Sequence, residues 1–280
     1  MAAIKKTLWT LNVDSYAPRM AELTYPFLLA YARKIGADFR IIAKRRWPHM
    51  PAVHEKLQIF DLGRENDWNI YIDSDALIFP DMFDVTERVR KDTVVLYSRD
   101  FAGNRFRYDN NFRRDGRDIG ACNWFAVASD WCIDLWRPID DLILVRTNPS
   151  AVGCLIQPTT KERIAGIAPE HLIDDYIVSR NIARYGLKLK TVEQIQKEIG
   201  DPGKYAWHRH MIDVKAKIAE VEAGTSVFPE FRERAEAKNW TLATWIEKYG
   251  ETAPAGSVVS TSSGTGTMYD GRRQAVERNL

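Results

Sequence analysis

The twelve residues from Trp68 to Phe79, WNIYIDSDALIF, decide the fold predicted for this chain. A run typical of a buried strand ends at Asp73-Ser74-Asp75, and apolar residues follow it. Two carboxylates one residue apart at the end of a buried strand are costly unless a cation compensates their charge. Oxygen ligands of this kind hold divalent cations. The stretch therefore predicts a metal site; the alternative is a pair of carboxylates that only cap the following turn.

Strand and helix signals alternate ahead of this stretch. Strands are predicted over 7–13, 38–42 and 68–72, and helices over 25–35 and 54–62. Gly36 and Gly63 follow the two helices, where glycine commonly ends a helix. This alternation predicts an α/β fold with a mostly parallel sheet flanked by helices.

The later chain continues with further elements and two long connections. Strands are predicted over 94–97, 124–128 and 187–192, and helices over 130–136, capped by Ser129, and 171–184, closed by Gly186. The segments 99–120 and 146–167 are predicted to be loops. We expect a domain over 1–227, a helical extension over 228–251 and a low-complexity linker and flexible tail over 252–280.

Composition limits the partners of the protein. The chain has 280 residues, 45% hydrophobic and 28% charged, and a formal net charge of +2, which argues against nucleic acid or an anionic membrane as the main partner. No terminal stretch has the length of a membrane span, and the start lacks the apolar core of a signal peptide. The three cysteines have no metal-ligand spacing, so we expect a cytoplasmic protein. Five tryptophans are predicted to be mostly core: Trp68, Trp124, Trp131, Trp136 and Trp207.

The order of predicted elements, with a D-x-D pair after the third strand, resembles the GT-A (Rossmann-like) fold of nucleotide-sugar glycosyltransferases. Lys56-Leu57 and the segment YIDSDALIF are similar to two retaining families. One is the glycogenin-like and lipopolysaccharide galactosyltransferase family, and the other is the fungal and plant galactosyl, mannosyl and xylosyltransferase family. The resemblance covers roughly residues 4–212. It implies an enzyme that moves a sugar from a nucleotide sugar, most often UDP-linked, to a glycan or small hydroxyl acceptor.

The resemblance also implies a metal cofactor, Mn²⁺ or Mg²⁺. Asp75 is the implied direct ligand, and Asp73 is a ligand or a partner of the ribose hydroxyls. The families add a late histidine as a third ligand, which is His208 or His210 here. Because the residues that follow the family histidine are absent after His210, the choice between the two stays open, as does a structural histidine.

Further residues are candidates for binding the nucleotide. Lys56 stands where the relatives place a basic residue that touches the donor, although an exposed lysine on a helix is usually only solvated. Thr10 and Asn12 lie toward the carboxyl end of the first strand, and Tyr16 lies just beyond. In open parallel sheets this end faces the ligand crevice, so the three are assigned to the base and ribose.

Asp174, Asp175 and Asn123 are the candidates for the sugar-binding and catalytic side of the site. In the resembling families such groups lie beneath the anomeric carbon and orient the sugar or stabilise an oxocarbenium-like centre. The alternatives are a helix N-terminal turn that favours negative charge for the aspartates, and a turn residue for Asn123.

Two other functions compete with this hypothesis. The segment IYIDSDALIF also resembles the phosphatase signature of the haloacid dehalogenase family, with Asp73 as nucleophile and Asp75 as general acid. That signature should sit on the first strand of its domain and carry a hydroxyl residue or valine where Leu77 stands. The other alternative is a non-catalytic GT-A-like protein that only binds its ligand.

Overall fold

The structure is a computed structural model. It describes residues 3–14, 16–79, 81–99, 121–138, 143–145, 154–157, 162–163, 173–208, 213–223, 258–259 and 267–268. The predicted extension over 228–251 and His210 lie outside the described residues, as do 100–120 and most of the predicted tail.

The main sheet consists of six strands: β1 (Lys6–Leu11), β2 (Ala37–Ile42), β3 (Trp68–Ile72), β5 (Thr93–Arg99), β6 (Ala121–Ser129) and β10 (Lys188–Thr191). Their order in the sheet is β10-β5-β6-β3-β1-β2. Strands β1 and β2 pair in parallel, β10 and β5 pair in parallel, and β5 and β6 pair antiparallel. The predicted α/β class with a mostly parallel sheet is confirmed.

Smaller pairs of strands lie outside this sheet. Strand β4 (Leu77–Ile78) pairs antiparallel with β11 (Ala206–Trp207), and β12 (Val258–Val259) pairs with β13 (Thr267–Met268). A three-stranded sheet consists of β7 (Ile143–Val145), β8 (Cys154–Gln157) and β9 (Glu162–Arg163). The prediction that 146–167 is only a loop is therefore wrong, because β8 and β9 lie within it.

Five α-helices occur among the described residues: α1 (Pro18–Lys34), α2 (Ile59–Leu62), α3 (Ile173–Arg184), α4 (Val192–Ile199) and α5 (Val214–Ala223). None of them is both long and apolar enough to cross a membrane. Two 3₁₀ segments, Ala52–Gln58 and Asp130–Trp136, stand where α-helices were predicted over 54–62 and 130–136, and α2 covers the end of the first range. Ser129 caps the second of these as predicted, because its hydroxyl accepts a hydrogen bond from the Trp131 N–H.

Helix α1 begins seven residues before its predicted start at Tyr25. Pro18 occupies its first turn, where the missing N–H costs nothing, and Pro26 lies inside the helix. The helix ends at Lys34, and Gly36 follows with a positive φ of 68°. This confirms the predicted stop, because that backbone conformation favours glycine.

The tryptophan prediction holds for four of the five side chains. Trp68, Trp124, Trp136 and Trp207 are buried, whereas Trp131 is 68% exposed. Trp131 was expected in the core because it lies in the helix predicted over 130–136. A 3₁₀ segment with a kink at Cys132 forms there instead.

The described residues divide into two compact units. The first contains Met1–Lys5, Arg45–Ile70 and Val85–Gly200, and the second contains Lys6–Lys44, Tyr71–Asp84 and Asp201–Leu280. Asp73, Asp75 and His208 belong to the second unit, and Lys56, Asn123 and Asp174 belong to the first. Each unit therefore holds one group of the predicted functional residues.

Candidate functional site

In the second unit, the end of β3 presents the predicted D-x-D pair. The peptide N–H of Ala76 donates to the carbonyl of Asp73, which closes a turn directly after the strand. The buried Thr24 of α1 holds the middle of this turn, since its Oγ1 lies 2.5 Å from the carbonyl oxygen of Ser74. The Tyr71 hydroxyl donates to Asp73 Oδ1 at 2.6 Å. The turn and the Asp73 carboxylate are thus fixed by backbone and side-chain contacts.

Antiparallel pairing of β4 with β11 brings His208 to this turn. Leu77 pairs with Trp207 and Ile78 with Ala206. The next residue, His208, therefore lies opposite Ala76 and close to Asp75. The His208 Nε2 atom lies 3.2 Å from Asp75 Oδ1 and 3.6 Å from Asp73 Oδ2. The side chain of His208 is 3% exposed. Of the two candidate histidines, the structure therefore brings His208 to the carboxylates, while His210 lies outside the described residues.

A fourth charged group belongs to this cluster and was not predicted. Lys217 of α5 is buried, and its Nζ lies 2.5 Å from Asp75 Oδ2. We call Asp73, Asp75, His208 and Lys217 the carboxylate cluster. Lys217 is spaced three residues from Val214 and four from Val221, on the face of α5 that packs against a core, but its partner Asp75 is far away along the chain.

The electrostatics of Asp75 follow from these neighbours. Burial raises the pKa of the Asp75 carboxyl, but the hydrogen bond and charge of His208 and the charge of Lys217 outweigh burial. The net pKa lies well below that of an ordinary aspartate. Asp75 is therefore an ionised group at neutral pH, which a metal ligand has to be.

The donor atoms of the cluster fit a divalent cation. One ligand atom each from Asp73, Asp75 and His208 lie within 4.8 Å of one another. Carboxylate oxygens suit Mg²⁺ and Mn²⁺, and imidazole nitrogen suits transition-metal ions. The combination of both ligand types is suited to an ion such as Mn²⁺.

The predicted nucleotide residues of the second unit have different environments. Tyr16 is 51% exposed, and burial followed by the charges of Asp75, Asp73 and Asp213 raises the pKa of its hydroxyl. The Asn12 Nδ2 donates to the Tyr25 hydroxyl at 2.9 Å.

Thr10, in contrast, has no exposed surface, and its Oγ1 has no hydrogen-bond partner among the described residues. The structure therefore brings Tyr16 near the carboxylates and leaves Thr10 inside the unit.

The first unit contains a separate buried network, which we call the lysine network. Lys56 Nζ lies 2.5 Å from Asp174 Oδ2 and donates to Asn123 Oδ1 at 3.2 Å. Asp175 accepts a hydrogen bond of 3.0 Å from the Asn123 N–H. All four residues are buried. The structure therefore brings Lys56, a candidate for binding the nucleotide, together with the three candidates for the sugar side of the site.

These contacts correct two of the simpler alternatives. Lys56 has a side chain only 4% exposed, so it is not a solvated lysine on a helix face. Asn123 lies within β6 and not in a turn. Asp174 and Asp175 do stand in the first turn of α3, as the helix-terminus alternative expected, but both also bond to the network.

Comparisons with known proteins add two likenesses of fold. No protein-family model matches the sequence, and no curated protein matches it either. A glycosyltransferase involved in the glycosylation of the major capsid of PBCV-1 is similar at 10% identity and a TM-score of 0.45, over 78% of this chain and 99% of that one. The galactosyltransferase LgtC, solved with donor and acceptor sugar analogues, is similar at 10% identity and a TM-score of 0.40, over 83% of this chain and 99% of that one.

Proposed function

We propose that this protein is a metal-dependent glycosyltransferase. It transfers a sugar from a nucleotide sugar, UDP-linked in our proposal, to a glycan or another hydroxyl acceptor, with retention of configuration at the anomeric carbon. Mn²⁺ or Mg²⁺ is the cofactor, and the setting is the cytoplasm. The substrate and the retaining course are what the resemblance to the two families implies, and the cysteine pattern supports the cytoplasmic setting.

The observation that carries this proposal is the carboxylate cluster at the end of β3. Two carboxylates and one imidazole converge there within 4.8 Å, and Asp75 is ionised because of its neighbours. A divalent cation held by these residues would offset the negative charge that builds on a departing diphosphate. Asp75 and His208 are the proposed ligands, and Asp73 is a ligand or a partner of the ribose.

The chain's own groups around the cluster have a proposed role in holding the nucleotide. Tyr16 offers a half-exposed ring close to the carboxylates, which supports a stacking contact with a base. Asn12 keeps its proposed contact with the ribose or base. Thr10 is proposed only as a support for the strand end, because it has no exposed surface.

The lysine network has a proposed role with the donor sugar. Asp174 and Asp175 supply negative charge that would stabilise an oxocarbenium-like centre and orient sugar hydroxyls. Asn123 and Lys56 hold these carboxylates by the hydrogen bonds described above. A change of Asp174 or Asp175 to asparagine should slow sugar release more than it weakens UDP binding.

The experiment that tests the proposal is release of free sugar from UDP-sugars without an acceptor. Water entering the acceptor site should cause slow hydrolysis that depends on Mn²⁺ or Mg²⁺. A phosphatase would instead hydrolyse phosphomonoesters through Asp73, and this activity would disappear in Asp73→Asn. A protein that only binds its ligand would bind UDP and release nothing.

A further inference from the structure

Lys217 is the one residue of the carboxylate cluster that metal binding leaves unexplained. Its side chain is 6% exposed, and its ammonium contacts Asp75, the proposed metal ligand, at 2.5 Å. A fixed ammonium next to a divalent cation is repelled by it. A lysine that served only solubility would not be buried at this place.

The packing of α5 holds Lys217 in this position. Val214, Ile218 and Val221 of the helix pack against a core that includes Leu77 and Trp207. Leu77 and Trp207 are also the register partners that bring His208 to the carboxylates. The same local core therefore positions the lysine and the proposed metal ligands.

The charges of the cluster do not balance a bare divalent cation. Apart from His208, two aspartates against one lysine leave a single net negative charge. A divalent cation alone would convert this to a net positive charge at a site with little exposed surface, which is unfavourable. A nucleotide diphosphate carries more than one negative charge, and it would restore the balance.

We propose that Lys217 is an internal counter-ion that couples binding of the divalent cation to binding of the nucleotide diphosphate. This inference rests on the proposed function. Without the nucleotide, the ammonium neutralises Asp75 and weakens binding of the bare cation. When the diphosphate arrives, its oxygens accept hydrogen bonds from Lys217, and Asp75 becomes available to the cation.

The chemistry of lysine is suited to this exchange. Its ammonium has three donors on a flexible stem, so it can move from a carboxylate to a phosphate oxygen with little backbone movement. Since coupling between two ligands is reciprocal, the cation must also strengthen nucleotide binding by the same factor. Lys217 therefore links the affinities for the two ligands, whichever of them binds first.

The test is a titration with Mn²⁺ monitored by electron paramagnetic resonance, with and without UDP. The wild type is compared with Lys217→Gln, which keeps a hydrogen-bond donor for Asp75 and removes the charge. Lys215→Gln is the matched control, because Lys215 is an exposed lysine on the same helix. A protein-free titration corrects for Mn²⁺ bound by UDP in solution.

We expect Lys217→Gln to bind Mn²⁺ without UDP at least about fivefold more tightly than the wild type, and UDP to improve this affinity by a smaller factor. Lys215→Gln should match the wild type. Equal or weaker binding of bare Mn²⁺ by Lys217→Gln, or wild-type affinity for Mn²⁺ that is the same with and without UDP, would overturn the counter-ion role.

Other results would contradict the proposed metal site itself, and not only the role of Lys217. If neither the wild type nor Lys217→Gln binds Mn²⁺ under any of these conditions, or if Asp75→Asn binds it as well as the wild type, the proposed metal site is wrong and the coupling falls with it. If Lys217→Gln does not fold, the wild-type titrations with and without UDP still decide whether coupling exists.

Discussion

The imidazole Nε2 of His208 lies 3.2 Å from Oδ1 of Asp75, although the two residues are far apart in the chain. Pairing of β4 with β11 produces this contact, because Leu77 and Trp207 are register partners. The two-residue strand β11 therefore positions His208, which was one of two histidines predicted from the sequence.

The lysine network predicts a large loss of stability when its ion pair is broken. Asp174→Ala leaves the buried Lys56 ammonium without this carboxylate, which should cost about 3–5 kcal/mol in the free energy of unfolding. Urea denaturation measures this cost. Glu198→Ala is the control, because it breaks the exposed pair with Lys190 and should cost less than about 1 kcal/mol. Similar losses in the two variants would contradict the importance of the buried pair.

The contact between Thr24 of α1 and the Ser74 carbonyl should stabilise the turn that carries Asp73 and Asp75. Thr24→Val keeps the shape of the side chain and removes the contact with the Ser74 carbonyl, which should cost about 1–3 kcal/mol and weaken binding of Mn²⁺. Thr7→Val is the matched control. Thr7 is equally buried, and its Oγ1 has no partner among the described residues, so this change should be neutral or stabilising. If both variants behave alike in urea denaturation and Mn²⁺ titration, the turn does not depend on Thr24.

Because His54 is buried, we expect the protein to lose stability in mild acid. Burial, followed by the positive charges of His49 and Arg45, lowers the pKa of His54 from 6.5 to about 4. The unfolded chain therefore binds more protons below pH 6.5, so this contribution to stability is present above pH 6.5 and is lost as the pH falls toward 4. Between pH 7.5 and pH 5 the loss should be about 2 kcal/mol.

His54→Gln isolates this contribution, because glutamine does not titrate. Urea denaturation at pH 7.5 and pH 5 should show a smaller loss in His54→Gln than in the wild type. His49→Gln changes an exposed histidine and should retain most of the wild-type loss. The same pH dependence in wild type and His54→Gln would show that His54 is not held neutral by the fold.

Local signals account for the parts of the fold that the sequence predicted. The bounds of β3 agree with the prediction, because a mainly apolar run ends directly before the polar D-x-D pair. Gly36 and Ser129 act at helix ends as expected, since their effects depend on neighbouring backbone groups alone. Helix α4 was not predicted, although Thr191 and Gln194 form a capping box that gave a recognisable signal.

The parts that the sequence did not predict depend on distant contacts. Lys217 gains its role from Asp75, and its spacing from Val214 and Val221 is compatible with burial but does not identify this partner. A solvated position on a helix was one of the two alternatives for Lys56, and its burial follows from contacts with Asp174 and Asn123. Charged residues of this kind are buried only with partners, and a single sequence does not identify the partners.

The most direct test of the proposed activity measures free sugar released from a panel of UDP-sugars, with Mn²⁺ or with a chelator. We predict that one UDP-sugar is hydrolysed only with the metal and that Asp75→Asn abolishes this release. Asp38→Asn, a change of an exposed aspartate, should leave it unchanged. Release that persists in Asp75→Asn or in the presence of chelator would contradict the account, as would phosphomonoester hydrolysis that disappears in Asp73→Asn while no UDP-sugar is cleaved.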